Sequence, residues 1–594
     1  MHRVKYFFFT YLAVIALAVV STLVARFTSP PRDPSTLYTV YADAIRSLDP
    51  PQIYDVVSAD IAGHVYETLY NYRYGGRPDE LIPQLAAALP EVSDDGKTYI
   101  FRLRRGVHFY DPTRRVWPDG KGPEVTADDV VFSWKRFADF RTAAGAYSSF
   151  FQGNIVGLDE FRAYTERASN AGEPVDLDRP VEGLSAIDRY TVRVRLTKPV
   201  PQFVLYVASI PTAVVSRQAV EKLGGLQETA IGTGPYAITE YRNEQRIVMQ
   251  ANPLYRGRPD ADPGEAVPEQ QRIPRIRRIQ WDYMLESLPV WYLFLQGRYD
   301  VSGIPKETFS DVVMPDRTLN PEFERRGIRL RVRPDLGVYY LTCNMTDPVL
   351  GRNLPLRQAI SLAFDRDTYI RVYRNGRGLP ASGILPPDAP LFDNDYRGPW
   401  NRFDPELARQ KVAEAVRVHG GPLPTLRLTL GGTDTDTRQS AEFFVRQMQA
   451  VGIRVEPDYN TFARYLEKMD SKNYQLAWGG WYPDYPDEKT YLKLFDARLV
   501  EPPGSNYAGF VDARFQSLLE RSEVMPRSPE RDGLYLQMRD IVDEQLPVIT
   551  LYYPLVYALR YYWVDNVQAP NFTAGFLAHY TLDVEARREA LTGR

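Results

Sequence analysis

The chain has 594 residues, 44% apolar and 25% charged, with a formal net charge of −3. That is the composition of a globular protein with several lobes, and the absence of a basic block argues against nucleic acid as a partner, because phosphate neutralisation takes clustered Lys and Arg. The one cysteine, Cys343, excludes a disulfide framework and leaves no thiol near the N-terminus to accept a lipid.

His2, Arg3 and Lys5 precede an uncharged run over residues 6–25, which Arg26 and the proline-rich FTSPPRDP close. A run of about 20 residues is long enough to span a bilayer, whereas the apolar core of a cleavable signal is usually about 7–15. Residues 1–26 are therefore read as a signal peptide or N-terminal membrane anchor, the retained anchor being favoured, with 27–36 as a linker. Leu23 stands where a cleavage site ahead of Ala25 calls for a small residue. The basic flank places the N-terminus in the cytoplasm and the body outside.

LYTVYA at 37–42 alternates as a strand, and Ser47-Leu48-Asp49-Pro50-Pro51 breaks it. Residues 59–70 are predicted to form one amphipathic helix, with Ile61, Val65, Tyr66 and Leu69 at helical spacing. Asp95-Gly96 is a hairpin turn before the alternating strand 99–103, and Thr126 is an N-cap with Asp128 and Asp129 in the first turn after it. The intervening stretch 110–124 reads as a surface insertion, with an edge contact or a lid as the functional alternatives. Residues 138–180 are expected to be helical with a polar connection. Val192, Val194 and Leu196 alternate with arginines as a half-buried strand. Ile231-Gly232-Thr233-Gly234-Pro235-Tyr236 is a tight turn whose glycines lack the partners of a phosphate cradle. PRIRRIQWDYM and FLQGRYDVSGIP then read as strand, helix and strand.

Cys343 lies in the apolar run VYYLTCNM and reads as a buried structural thiol. Next to it, Asn344 has a capping or turn role or a ligand contact as its two readings. Residues 357–366 are helical, with Asp365 and Arg366 as a structural charge network. Helices at 405–419 and 440–450 alternate with the strands PTLRLTLGG and GIRVEPDYN, the wiring of a mixed α/β lobe. An apolar strand at 474–478 then runs into GGWYPDYPDEKTYL, which begins at Gly479. Pro483 and Pro486 stop helix or ladder there, so the stretch is a loop at a strand end carrying Trp481, Asp484, Tyr485 and Asp487. Two aromatic faces beside a carboxylate on a rigid turn make a receptor for a cationic group; an acidic surface turn with core aromatics is the alternative. Finally, LPVITLYYPLVYALRYYWVDNV is strongly strand-forming and is expected to return the chain to the first lobe.

SLDP followed by YETLYNY, DDGKTYIFRLRRGVHF leading to VTADDVVFSWKRF, IGTGPY, and GW-x-x-DY-x-D together resemble the bacterial extracellular solute-binding proteins of family 5. These are the oligopeptide and dipeptide receptors of ABC importers, and the resemblance runs over 37–583. It implies an α/β fold of the periplasmic binding protein-like kind (type II, cluster C): two mixed-sheet lobes, an extra domain inserted in the first, and a hinged ligand cleft. Lobe I is expected at 37–68, 185–335 and 551–585, the inserted domain II at 69–184, and lobe III with the substrate loop at 336–550. It further implies a monomer that captures peptides on the extracytoplasmic, periplasmic side of the cytoplasmic membrane and delivers them to an ABC permease complex, with no cofactor. In peptide-binding members the Asp at the place of Asp484 holds the ligand's α-ammonium group, and the ligand-binding residues expected here are Asp484, Trp481, Tyr485, Trp478 and Asn344. In some oligopeptide receptors an Arg three residues before the loop's Trp pairs with the ligand's carboxylate. Trp478 stands at that place, so the resemblance supplies no carboxylate partner. Many members are lipoproteins, which this chain, without an N-terminal thiol, is not.

Enzymatic function is not expected. The five histidines have no metal-site spacing, and no G-x-S-x-G, H-E-x-x-H or P-loop occurs. Asp484 and Asp487, three residues apart on one loop, are not thereby placed across a scissile bond. No catalytic residue and no metal ligand is expected. The rival readings are a receptor of the same fold for another solute, such as an oligosaccharide or metal chelate, and a membrane-tethered sensor or interaction protein.

Overall fold

The computed structural model describes residues 32–53, 55–502, 504–568 and 572–592. The apolar N-terminal run lies outside them; among the described residues no helix is long and apolar enough to cross a membrane.

The architecture hangs on one 14-residue strand, Val548–Tyr561, about 45 Å long at the usual rise of a strand. Its first part pairs antiparallel with Val338–Cys343, setting Leu341 opposite Ile549, and its second part pairs with Ile328–Pro334, setting Leu330 opposite Leu559. The partner changes at Pro554, which has no N–H to give to a ladder; there the Asp335 N–H donates to the Pro554 carbonyl (2.9 Å) and Gly378 takes the opposing place. Long β-formers on both sides of one proline thus produce a single strand shared by two lobes.

Around the second part gathers a core that includes Leu37, Met249, Ile279, Phe294 and Tyr561. Its sheet pairs Thr36–Tyr41 parallel with Arg278–Tyr283, which is followed by Arg246–Ala251 and Tyr236–Arg242 in antiparallel order. Around the first part the large sheet continues through Val338–Cys343, Leu476–Trp481, Leu426–Leu430 and Val455–Tyr459, with Leu356, Phe364, Phe444 and Leu476 in its core. A third core, holding Phe101, Trp134, Val192 and Phe203, lies between the helix Ala127–Ala138 and a four-stranded sheet. That helix begins with a reciprocal capping box between Thr126 and Asp129.

Three expectations are corrected. The sheet of the third core joins Thr98–Arg102 to Thr191–Arg195 and Leu184–Asp188, and Val214 still belongs to that core, so a domain break at 184/185 would cut through paired strands. The single helix at 59–70 is instead Val56–Ala62 followed by turns and the strand Tyr70–Tyr72. Its continuation is lost because the carbonyls of His64 and Val65 accept from the N–H groups of Tyr236 and Gly234. The stretch 110–124 is a built strap rather than a plain insertion. Its ends pair as the hairpin His108–Tyr110 and Lys121–Glu124, Asp111 accepts from the N–H groups of Thr113, Val116 and Trp117, and Lys222 Nζ donates to the Val116 carbonyl at 2.8 Å.

IGTGPY owes its glycines to close approach as much as to a turn. A Cβ on Gly232 would overlap the Val65 carbonyl, and one on Gly234 would lie 2.7 Å from the same peptide. Overpacking of this kind typically costs about 1–3 kcal/mol. Gly232→Ala should lower the midpoint of urea unfolding by a corresponding amount, whereas Gly303→Ala, where nothing lies within 4 Å of the added carbon, should change stability by less than about 0.5 kcal/mol. Equal effects of the two substitutions would contradict the close-packing role.

Candidate functional site

The strand Leu476–Trp481 sits inside the large sheet, but its two edges end at different places. On one side it pairs with Val338–Cys343 along its whole length, from Leu476 opposite Cys343 to Trp481 opposite Val338. On the other its partner Leu426–Leu430 stops at Leu430, opposite Trp478. Among the described residues, Gly479, Gly480 and Trp481 therefore have no strand partner along that second edge. Two of the three lack side chains, which leaves backbone donors and acceptors approachable by another extended chain.

The loop that follows is held from below. Asp487 forms an ion pair with Arg531 at 3.2 Å, both side chains being 5% exposed, and accepts from the Tyr535 hydroxyl and the Lys489 N–H. Glu488 accepts from the Leu391 N–H at 2.6 Å; burial, and then neighbouring Asp487, push its carboxyl up to about 8. Tyr485 is 2% exposed and meets Tyr206 edge-on at 5.1 Å, inside the third core. The Asp484 N–H donates to Thr490 Oγ1 at 3.1 Å. Fixed this way, the loop turns Asp484 outward, with its side chain 30% exposed.

Two expected ligand contacts, Tyr485 and Asn344, are placed elsewhere. Tyr485 is a plug in the third core and presents no ring to Asp484. Trp478 is half-buried and packs against Phe364 and Phe444 at the margin of the large sheet's core. Asn344 is buried, giving Nδ2 hydrogens to the carbonyls of Lys472 and Tyr474 and accepting at Oδ1 from Thr346, so its polar atoms are spent on the turn. Cys343 is buried, and burial pushes its thiol up to about 12, as an inert structural thiol requires.

Trp481 and Asp484 remain at the surface of the strand end, but the carboxylate is not unaccompanied. Lys493 Nζ lies 2.6 Å from Asp484 Oδ2 and 5.3 Å from the centre of the Trp481 ring. Trp481 Nε1 is buried with no acceptor among the described residues.

Beside the open edge stands a wall that the sequence did not disclose. Tyr339, opposite Gly480 in the ladder, stacks on Tyr552 at 4.7 Å and meets Tyr482 edge-on at 6.4 Å. Arg374 lies over the Tyr552 ring at 5.3 Å. Its Nε is buried without an acceptor, and it forms no ion pair among the described residues. Lys306 of the first lobe pairs with Asp436, in the first turn of Thr435–Ala450. Neither Arg374 nor the tyrosines occur in a motif; they meet because three strands and a helix end bring them together. Among the described residues no cluster of three or more His, Cys, Asp or Glu is placed to hold a metal.

Two lobes sharing a crossing strand, with an open strand edge flanked by an aromatic wall and charged groups, define a solute-binding protein of the two-lobed, hinged class. Residues 80–498 match the sequence profile of bacterial extracellular solute-binding proteins, family 5, and the chain belongs to that family. Among curated relatives, the oligopeptide-binding protein OppA of Bacillus subtilis is 24% identical over 516 residues, 85% of each chain. Among solved structures, HbpA2 from Haemophilus parasuis superposes with a TM-score of 0.72 at 23% identity, over 92% of this chain and 100% of that one. The periplasmic binding protein DppA from Helicobacter pylori, in complex with the peptide STSA, gives a TM-score of 0.69 at 20% identity, over 92% of this chain and 98% of that one.

The loop's charge network sets a pH dependence. Glu523 gathers Lys489 at 3.2 Å, Arg498 at 2.8 Å and Lys198 at 3.8 Å. Burial opposes ionisation, but these cations outweigh it and hold the carboxyl at about 2 against an ordinary 4.5. A depressed carboxyl stabilises the fold fully above its ordinary value and loses that contribution as the pH falls towards its folded value, here on the order of 3 kcal/mol. Urea unfolding of wild type and Glu523→Gln at a series of pH values should show the stability gap narrowing from about pH 5 downwards. A gap independent of pH would contradict the assignment.

Proposed function

We propose that this protein is the substrate-binding component of an ABC-type importer, a monomer that captures peptides outside the cytoplasmic membrane and passes them to a permease complex. The observation that carries the reading is the open edge at Gly479–Trp481: an extended peptide laid along it gains main-chain hydrogen bonds without regard to sequence, while its side chains meet Trp481 on one side and the tyrosine wall on the other. Membership of the solute-binding family supports it, as do the oligopeptide-binding relative and the peptide complex of a protein with the same fold. Closure of the lobes about the crossing strand at Pro554 would desolvate the edge around its ligand.

Within this reading Arg374 receives the ligand's carboxylate, the group for which the loop itself has no partner. A half-buried guanidinium with no ion-pair partner among the described residues can donate charge-assisted hydrogen bonds to a carboxylate. Truncating one member of such a pair typically costs about 2–5 kcal/mol. Arg374→Gln should therefore weaken peptides with a free C-terminal carboxylate by roughly 30-fold or more in calorimetric titration, and their C-terminally amidated forms far less. Equal weakening of both forms would remove Arg374 from the site, and failure of wild type to bind any peptide of a mixed pool would remove the peptide reading.

A further inference from the structure

The pocket expected for a ligand's ammonium group already holds one. Lys493 Nζ lies 2.6 Å from Asp484 Oδ2 and 5.3 Å from the Trp481 ring centre, so the carboxylate and the aromatic face have the same resident cation. The lysine is positioned for this by its neighbours. It opens the turn Lys493–Phe495 directly after the short helix Lys489–Leu492, and Tyr491, Leu492, Leu494 and Phe495 are all buried around it. Its own side chain is 16% exposed. Lys489, one helical turn earlier, points to a different acid, Glu523, so Asp484 and Lys493 form a local pair rather than a branch of the Glu523 network. Among the described residues, neither group has another ion-pair partner.

We infer that Lys493 is a specificity-determining residue: by occupying Asp484 it makes this end of the cleft electrically neutral, so that the protein accepts peptides whose amino terminus carries no charge as readily as those with a free amine. The inference rests on the peptide reading above and names the class of peptide. A lone carboxylate would reward an incoming ammonium with a full charge-assisted bond. Against the existing pair, the same ammonium must either expel Lys493, leaving that charge over Trp481 with no acid, or share a carboxylate whose charge is already balanced. Little is then gained by being charged. An acylated terminus gives up nothing by comparison.

The test compares one peptide sequence in free-amine and N-acetylated forms, titrated by calorimetry against wild type, Lys493→Met and Lys493→Arg. Methionine keeps the apolar stem and removes the charge, while arginine keeps the charge. The expected result is that wild type and Lys493→Arg bind the two forms within about 3-fold of each other. Lys493→Met, whose Asp484 is released, should prefer the free amine by roughly 30-fold or more, the scale of a desolvated charge pair. Thermal unfolding of each variant without peptide checks that the loop remains folded, and the Met variant is scored only through the ratio of the two forms, which a general loss of structure leaves unchanged. A strong free-amine preference in wild type, or a ratio that Lys493→Met does not move, overturns the inference while leaving peptide binding in place. Binding of neither form by any of the three proteins overturns the peptide reading itself and the inference with it.

Discussion

The ion pair between Asp487 and Arg531 is the interaction on which the candidate site depends. Both side chains are buried, and the Tyr535 hydroxyl completes the acid's hydrogen bonding. Breaking such a pair by removing one partner typically costs about 3–5 kcal/mol, because the other charge is left stranded in low dielectric. The energetic value of the pair matters less here than its position. It lies three residues beyond Asp484, with Tyr485 sunk into the third core between them, so a proline-interrupted stretch that would otherwise sample many conformations is pinned at two points. What those anchors leave facing outward is Trp481 and Asp484.

The same loop couples the parts of the molecule. Tyr485 belongs to the core of the inserted domain although it follows directly on a strand of the large sheet. Lys198 of that domain and Lys489 and Arg498 of the loop region converge on one carboxylate, Glu523. The shared strand Val548–Tyr561 ties the first lobe to the large sheet by backbone pairing on either side of Pro554. The inserted domain is fastened on both sides: to the lobe that carries the loop through Tyr485 and Glu523, and to the first lobe through the buried ion pair of Arg136 with Asp49. The ladders on the crossing strand change partner at Pro554, the kind of position at which a hinge between lobes is built.

Much of the fold was legible because it is written in local chemistry. The N-cap at Thr126, the Asp95-Gly96 turn, the helix Pro405–His419 and the long terminal strand all follow from residue type and spacing. The helix expected at 59–70 failed because its carbonyls are claimed by a turn some 170 residues later in the chain, and no periodicity reports such a competitor. The site was legible only in part. Proline spacing and the run of aromatic and acidic residues located the loop, but which of its side chains would be buried was decided by Arg531 and Tyr206, far away in sequence. Trp478 stands at the step itself: in a strand that ends against a shorter neighbour, the passage from core to open edge occurs within one residue. Arg374 carried no signal at all. Lys493 carried a faint one, as a lone cation inside the apolar run YLKLF, which marks it as a residue whose charge must be met nearby.

Recognition through backbone at an open strand edge predicts a ligand population rather than a single compound, since main-chain pairing is indifferent to side-chain identity. Mass spectrometry of small molecules released by denaturing the protein, purified from its native envelope without added ligand, tests this most directly. The expected result is a set of short peptides of varied sequence, with acylated and free amino termini both represented. Recovery of one non-peptide solute at stoichiometric amount would contradict it.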